Sequence, residues 1–480
     1  MSELDFFGHI IDGAEVESVD GGRFDVWNPW TQEVWAQAAL GSAEDASRAI
    51  ASSRKAFDDG PWPRMGRVER ANAIHKLADL MEARVDDLAR LDTTNMAKPF
   101  AQAKHDVARS VWNFRFFADH QRDNVGEVYP MDSGHHSYSE FGPAGVVAAI
   151  SPWNFPLMMA SWKIAPAIAW GNTCIIKPSE DTPASVTLLG RLALEAGLPP
   201  GVLNVLNGHG APAGSSLTGD DRVDRVTFTG SSVTGKHVMA SAATHLAPVS
   251  LELGGKGANI VFGDADLDNA VYWAVEAIFR NSGQICLAGS RLFVQAGIWD
   301  EFMDRFKGAA EALTIGDPFD PATRFSALAS RKHFDKVASY VESVELEGGK
   351  ILTGGVDDSG KWLVRPTIIA DLPLTGRAYC EEIFGPVCVV NKFESEGEVV
   401  RLANDTRYGL NAMLFTENLS RAHRVASKLR AGTVWVNCFF IRDLRTPFGG
   451  VGDSGVGREG GNFSREFFTE PKAIVMQIDR

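Results

Sequence analysis

Cys286 stands in Asn281-Ser282-Gly283-Gln284-Ile285-Cys286-Leu287-Ala288-Gly289-Ser290-Arg291, 34 residues after the carboxylate of Leu251-Glu252-Leu253-Gly254-Gly255-Lys256. A thiol among small and polar residues at the end of an apolar helical run has the character of a nucleophile. It attacks a carbonyl only as thiolate, so it needs a base or an electropositive pocket. A lone carboxylate between leucines has its pKa raised by burial toward the range where a general base works near neutral pH. Each half alone has an ordinary reading too: a buried cysteine is usually a small hydrophobe, and a Glu in a turn is usually solvated. The pair gives both readings their force.

Further motifs accompany the pair: Ser151-Pro152-Trp153-Asn154-Phe155-Pro156, Lys177-Pro178-Ser179-Glu180, Phe228-Thr229-Gly230-Ser231 and Glu381-Glu382-Ile383-Phe384-Gly385-Pro386-Val387. With them the chain resembles the aldehyde dehydrogenase superfamily over nearly its whole length. The resemblance implies that Cys286 adds to an aldehyde, that Glu252 activates water to hydrolyse the thioester, and that the Asn154 amide and the Cys286 N–H stabilise the oxyanion. Retention of Glu252 favours hydrolysis over acyl transfer to coenzyme A. Lys163 and Glu459 match positions that relay protons from Glu252. No metal is implied.

The implied cofactor is NAD. By resemblance, Lys177 and Glu180 hold the adenosine ribose, Ser231 meets the pyrophosphate, and Glu382 and Phe384 position the nicotinamide end. Ile150, Ser151, Pro152, Trp153 and Ser179 are expected to line the same cleft. So are Gly210, Gly214, Phe228, Thr229, Gly230, Leu253 and Gly254. A carboxylate at Glu180 accepts from a 2′-hydroxyl and repels a 2′-phosphate, which favours NAD over NADP. Gly208-His209-Gly210-Ala211-Pro212-Ala213-Gly214 misses the dinucleotide fingerprint by one residue, so alone it reads equally as a plain turn.

Val436–Gly450, containing Arg442-Asp443-Leu444-Arg445 and Phe448, resembles the branch acting on 2-hydroxymuconate and 2-aminomuconate semialdehydes. Arg115 fits that branch as well. Arg115, Arg442 and Arg445 are candidates to grip a substrate carboxylate, with Phe448 in the same pocket. Alternatives stay open: Arg442 or Arg445 paired with Asp443, a neutral aromatic or aliphatic aldehyde, or a silent binding protein of this fold.

The elements that must position these residues follow from pattern. Val146–Ile150, Thr173–Ile176, Val202–Leu206, Val226–Phe228 and Val249–Leu251 are short apolar runs, most of them separated by helical stretches. Such alternation predicts a parallel, doubly wound α/β sheet, with ligands beyond the carboxyl ends of its strands. A second α/β pattern follows Gly255, with a helix from about Asp266 to Asn281 ahead of Cys286. A helix start is predicted at Ser42, closed by Asp45, and a long helical region over about Arg64–Arg90. Expected are an NAD-binding domain over 1–122 and 142–253, a catalytic domain over 254–450, and a β oligomerisation arm over 123–141 and 464–480. The arm is what the resemblance implies, pairing subunits into a homodimer or homotetramer; from the residues alone these segments read equally as ordinary surface hairpins.

With 480 residues and 45% apolar content, the chain can bury large cores. A net charge of −14 argues against nucleic acid or an anionic membrane as partner. Five cysteines without a C-x-x-C or a Cys/His cluster suggest a reducing compartment, and the acidic N-terminus lacks a signal-peptide pattern. A cytoplasmic protein is expected.

Overall fold

Five short apolar strands make the centre of the first large sheet: β1 (Val146–Ile150), β2 (Thr173–Lys177), β3 (Leu203–Val205), β4 (Arg225–Thr229) and β5 (Val249–Glu252). They pair in parallel in the spatial order β5-β4-β1-β2-β3. Almost every residue in them is buried, because helices cover both faces of a parallel sheet. Val147, Ala149, Cys174 and Ile176 enter one core, whereas Val146, Ala148 and Ile175 enter the other, the alternation a strand imposes. Strand order reverses between β1 and β4, so a crevice opens beyond their carboxyl ends. The computed structural model describes residues 4–123 and 125–478. Met1, Ser2 and Glu3 of the acidic N-terminus, and Asn124, Asp479 and Arg480 of the expected arm, lie outside the described residues.

The second large sheet contains β6 (Ala258–Val261), β7 (Arg291–Gln295), β8 (Val387–Phe393), β9 (Asn411–Phe415) and β10 (Thr433–Val436), parallel in the order β8-β7-β6-β9-β10. Gly455–Val456 pairs antiparallel with the end of β5. A third sheet joins Thr469–Gln477 to His135–Pro143 and Val128–Tyr129, all antiparallel. Among the described residues no helix is long and apolar enough to cross a membrane.

Helix α1 (Ala43–Asp58) starts as its sequence predicts. Asp45 N–H donates to Ser42 Oγ at 3.2 Å, and Ser42 N–H donates back to Asp45 Oδ2 at 3.0 Å. The long helix expected over 64–90 is instead two, α2 (Arg67–Ala83) and α3 (Val85–Met96), broken at Arg84. Both bury apolar positions on the same core, so the shared hydrophobic period concealed the break. Helices α4 (Phe100–His120) and α5 (Pro156–Ala169) pack on that core as well, α5 with all but one of its residues buried. After α6 (Ser232–Ala243), α7 (Leu267–Phe279) is capped by Asp266 and stops two residues earlier than its pattern suggests. Asn281 and Ser282 follow with φ of 51° and 54°, turning the chain sharply toward Cys286.

Candidate active site

Glu252 is the last residue of β5, and Cys286 lies in the loop between α7 and β7. Sequence neighbours in no sense, they face one narrow cavity of about 100 Å³. Burial, then the Glu459 carboxylate, push the Glu252 carboxyl well above the usual range, against the pull of Lys163, Arg442 and Arg458. Its Oε1 is shut off from solvent with no partner among the described residues. Gly449 passes so close that a Cβ there would come 2.6 Å from that oxygen, so only a bare backbone leaves it room. Burial, then the carboxylates of Glu382 and Glu252, push the Cys286 thiol up to about 12. The N–H groups of Cys286 and Leu287 pull it the other way. The resting group is a thiol awaiting a base or added positive charge.

Beside this pair, Lys163 Nζ donates to Glu459 Oε1 at 3.2 Å and to Thr227 Oγ1 at 2.9 Å. Glu459 Oε1 also accepts from Ser250 at 3.1 Å, while its Oε2 has no partner among the described residues. Asn154 is buried in the loop two residues before α5, where its Nδ2 donates to the Gln284 carbonyl at 2.9 Å. One amide hydrogen is therefore tied to the Cys286 loop and the other remains available.

The crevice at the strand-order reversal is the second cavity, and it is wide, about 760 Å³. Ile150, Ser151, Pro152 and Trp153 lead out of β1 into it, Lys177, Ser179 and Glu180 out of β2, and Phe228, Thr229, Gly230 and Ser231 out of β4. Gly210 and Gly214 border it from a single wide turn. Thr229 lines both cavities, so the two adjoin. Glu180 Oε2 lies 3.7 Å from Lys177 Nζ, and Oε1 lies 3.8 Å from His209 Nδ1. Ser231 caps α6, whose first N–H groups have no partner within the helix. Glu382 Oε1 accepts from Gly255 N–H at 2.8 Å, directly over Gly254, where a Cβ would collide with its carboxylate. Leu253 is buried against Gly235 of α6. The Phe384 ring meets Trp153 edge-on at 5.3 Å.

Of the residues expected to meet substrate, Arg442 and Phe448 line the narrow cavity; Arg115 and Arg445 do not. Arg115 turns outward from α4 to Asp79 at 2.8 Å and Glu82 at 2.6 Å. Arg445 is exposed and holds Asp443 at 2.6 Å. The cavity's second guanidinium is Arg109, which the sequence reading missed. Six residues of helix put it about 120° around α4 from Arg115. Its spacing was legible, for it lies three residues after Asp106 and four before Asn113, both cavity-facing.

Arg442 is sandwiched between Trp162 and Phe448, its guanidinium carbon 4.1 and 3.9 Å from the ring centroids. Its Nε and Nη2 are shut off from solvent with no hydrogen-bond partner among the described residues. Burial and the nearby Arg109 lower its pKa to about 9, and burial lowers that of Arg109 to about 10.

The arrangement unites a thiol, a basic carboxylate and amide donors at the junction of a narrow cavity and a nucleotide-sized crevice. Comparison with known proteins agrees. Residues 16–474 match the Aldehyde dehydrogenase family. The chain is 44% identical to a 2-hydroxymuconic semialdehyde dehydrogenase of Pseudomonas sp. (strain CF600), covering 98% of this chain and 99% of the other. It is 42% identical to the mitochondrial benzaldehyde dehydrogenase of Antirrhinum majus, over 98% and 88%. An NAD+ complex of aldehyde dehydrogenase from Bacillus cereus superposes with a TM-score of 0.97 at 38% identity, covering 99% and 97% of the two chains. By sequence and by fold, this chain belongs to the aldehyde dehydrogenase family.

Proposed function

We propose that the protein oxidises a carboxylate-bearing semialdehyde of the muconate type to the corresponding acid, with NAD as oxidant. One observation carries the substrate class. Two guanidiniums, Arg442 and Arg109, face the narrow cavity, and neither has a carboxylate within ion-pair distance among the described residues. Unpaired desolvated cations that repel one another are costly. A substrate carboxylate offsets that cost for both. The 44% identity to a 2-hydroxymuconic semialdehyde dehydrogenase supports the same reading. The aromatic walls of Phe155, Trp162 and Phe440, with 42% identity to a benzaldehyde dehydrogenase, favour a neutral aromatic aldehyde as second reading.

The crevice residues fit the cofactor. The start of α6 at Ser231 suits a pyrophosphate, Lys177 and Glu180 suit ribose hydroxyls, and the Glu180 carboxylate disfavours a 2′-phosphate. Glu382 and Phe384 would hold the nicotinamide end. When bound, NAD supplies the hydride acceptor.

In this reading Glu252 takes the Cys286 proton, and Sγ bonds to the aldehyde carbon. The oxyanion of the resulting thiohemiacetal is stabilised by the second Asn154 amide hydrogen and the Cys286 N–H. Loss of hydride from carbon leaves a thioester on Sγ. Glu252 then removes a proton from water as it attacks; the C–S bond breaks, releasing the acid and the Cys286 sulfur. Lys163 and Glu459 pass the proton onward from Glu252. The sheet of Thr469–Gln477 and His135–Pro143, which exposes Val475 and Met476, is the surface we assign to pairing with another copy of the chain.

The test is NADH formation from 2-hydroxymuconate semialdehyde, benzaldehyde and hexanal. A clear preference in kcat/KM for the semialdehyde is expected. Preference for either neutral aldehyde overturns the substrate class and leaves the family assignment standing.

A further inference from the structure

The Asn154 main-chain carbonyl is held from two sides by side chains that neither catalysis nor cofactor binding has used. From the helical layer, Lys98 Nζ donates to it at 2.9 Å while also donating to Asp106 Oδ2 at 2.6 Å. Lys98 is 1% exposed, and its ammonium lies 3.8 Å from the Phe155 ring centroid. From the Cys286 loop, Asn281 Nδ2 donates to the same carbonyl at 3.0 Å and to the Gln284 carbonyl at 3.3 Å. The Gln284 carbonyl in turn accepts the Asn154 amide at 2.9 Å. The bonds close a ring: Asn154 amide to Gln284, Gln284 to Asn281, Asn281 to the Asn154 carbonyl. Lys98 anchors that ring to the body of the molecule.

A buried lysine is costly unless paired, and Asp106 pairs this one beside the Asn154 carbonyl. The geometry points to a use. An oxyanion donor works only if it is preorganised, and an amide side chain has two free torsions and a mobile backbone beneath them. We propose that Lys98 and Asn281 are positioning residues, pinning the Asn154 main chain so that its amide is held in register with Cys286. Asn281 suits the task because Asn tolerates the left-handed backbone (φ 51°) that turns the loop back toward Asn154. This inference rests on the reading of Asn154 as an oxyanion donor.

The test is a double-mutant cycle on the single-turnover rate of NADH formation. Lys98→Met/Asp106→Asn removes the anchor together with its ion-pair partner, and the neighbouring buried Asp92, its pKa already raised to about 6, can take up a proton; Asn154→Ala removes the donor. We expect the first to slow the single turnover roughly 10- to 100-fold, as misplacement of a reacting group does. In the Asn154→Ala background the same change should cost no more than about twofold, because no donor remains to position. An equal penalty in both backgrounds reduces Lys98 to a structural role and overturns the proposal. Asn154→Ala that leaves the single turnover unslowed sinks instead the underlying reading of Asn154, a distinguishable result. Should the buried-pair variant fail to fold, Asn281→Gly runs the same cycle, since it keeps the buried charges and suits the positive φ. Additive penalties there overturn the proposal equally.

Discussion

The two cavities that meet at Thr229 are built on opposite principles. The wide crevice is made largely of strand ends, glycines and a helix start, and the carboxylate at its mouth lies 3.7 Å from a lysine ammonium. Glu180 sits between Lys177 and His209, about 40% exposed to water. The narrow cavity confines charges that water does not reach: the Glu252 and Glu459 oxygens, and the unpartnered nitrogens of Arg442. A ligand held by backbone and helix ends can be gripped by many sequences. A ligand that must neutralise a desolvated guanidinium is selected far more sharply, since electrostatic interactions strengthen as solvent is excluded. Cofactor use should therefore bend under mutation, and substrate use should break.

The largest break is expected at the thiol. Cys286→Ser should abolish NADH formation while leaving NAD binding, followed by quenching of protein fluorescence, close to unchanged. Substantial turnover would remove Cys286 from its role. Next is Glu252→Gln, which takes the base from both the thiol and the water: steady-state turnover should fall roughly 10²- to 10⁴-fold, and the first turnover of NADH should form more slowly as well. Normal turnover in that variant means another group is the base. The raised pKa of Glu252 sets a pH dependence of known sign. The base is protonated below that pKa, so thioester hydrolysis should fall as pH drops through it. The matching acid limb in a deacylation profile should vanish in Glu252→Gln.

Arg442→Ala sharpens the contrast between the cavities. Charge-assisted bonds to a carboxylate are worth about 1.5–3 kcal/mol each, so kcat/KM for 2-hydroxymuconate semialdehyde should drop roughly 10- to 150-fold. Oxidation of benzaldehyde should barely move, and Arg109→Ala should behave alike. Arg115→Ala and Arg445→Ala are the controls: surface ion pairs contribute about 0–1 kcal/mol to stability, and substrate preference should be unaltered. Equal losses on charged and neutral aldehydes would point to a packing defect. The smallest effect belongs to the crevice. Glu180→Gln should narrow, without inverting, the preference for NAD over NADP, measured as a ratio of kcat/KM values. An unmodified protein that used both equally would contradict the placement of Glu180 at the ribose.

Local chemistry was legible in the sequence wherever the deciding forces were themselves local. The Ser42–Asp45 cap, the five apolar strands of the first sheet and the Asp266 start of α7 each follow from residues within a few positions of one another. Glu252 and Cys286 were recognisable because their flanking residues carry the motifs. The sequence by itself therefore determined the order of elements, the doubly wound parallel sheets and the family. What it could not determine was which arginines face the narrow cavity. Arg109 and Arg115 share one helix, and only the packing of α4 against α5 decides which face is inward. Arg442 and Arg445 share one loop; the rings of Trp162 and Phe448, from different parts of the chain, capture the first, and the second is left to Asp443 in water. The Lys98 anchor was equally invisible, because it joins residues 56 positions apart through a single carbonyl. Side-chain direction and burial come from contacts distant in sequence, and in this protein those contacts decide which charges lose their water.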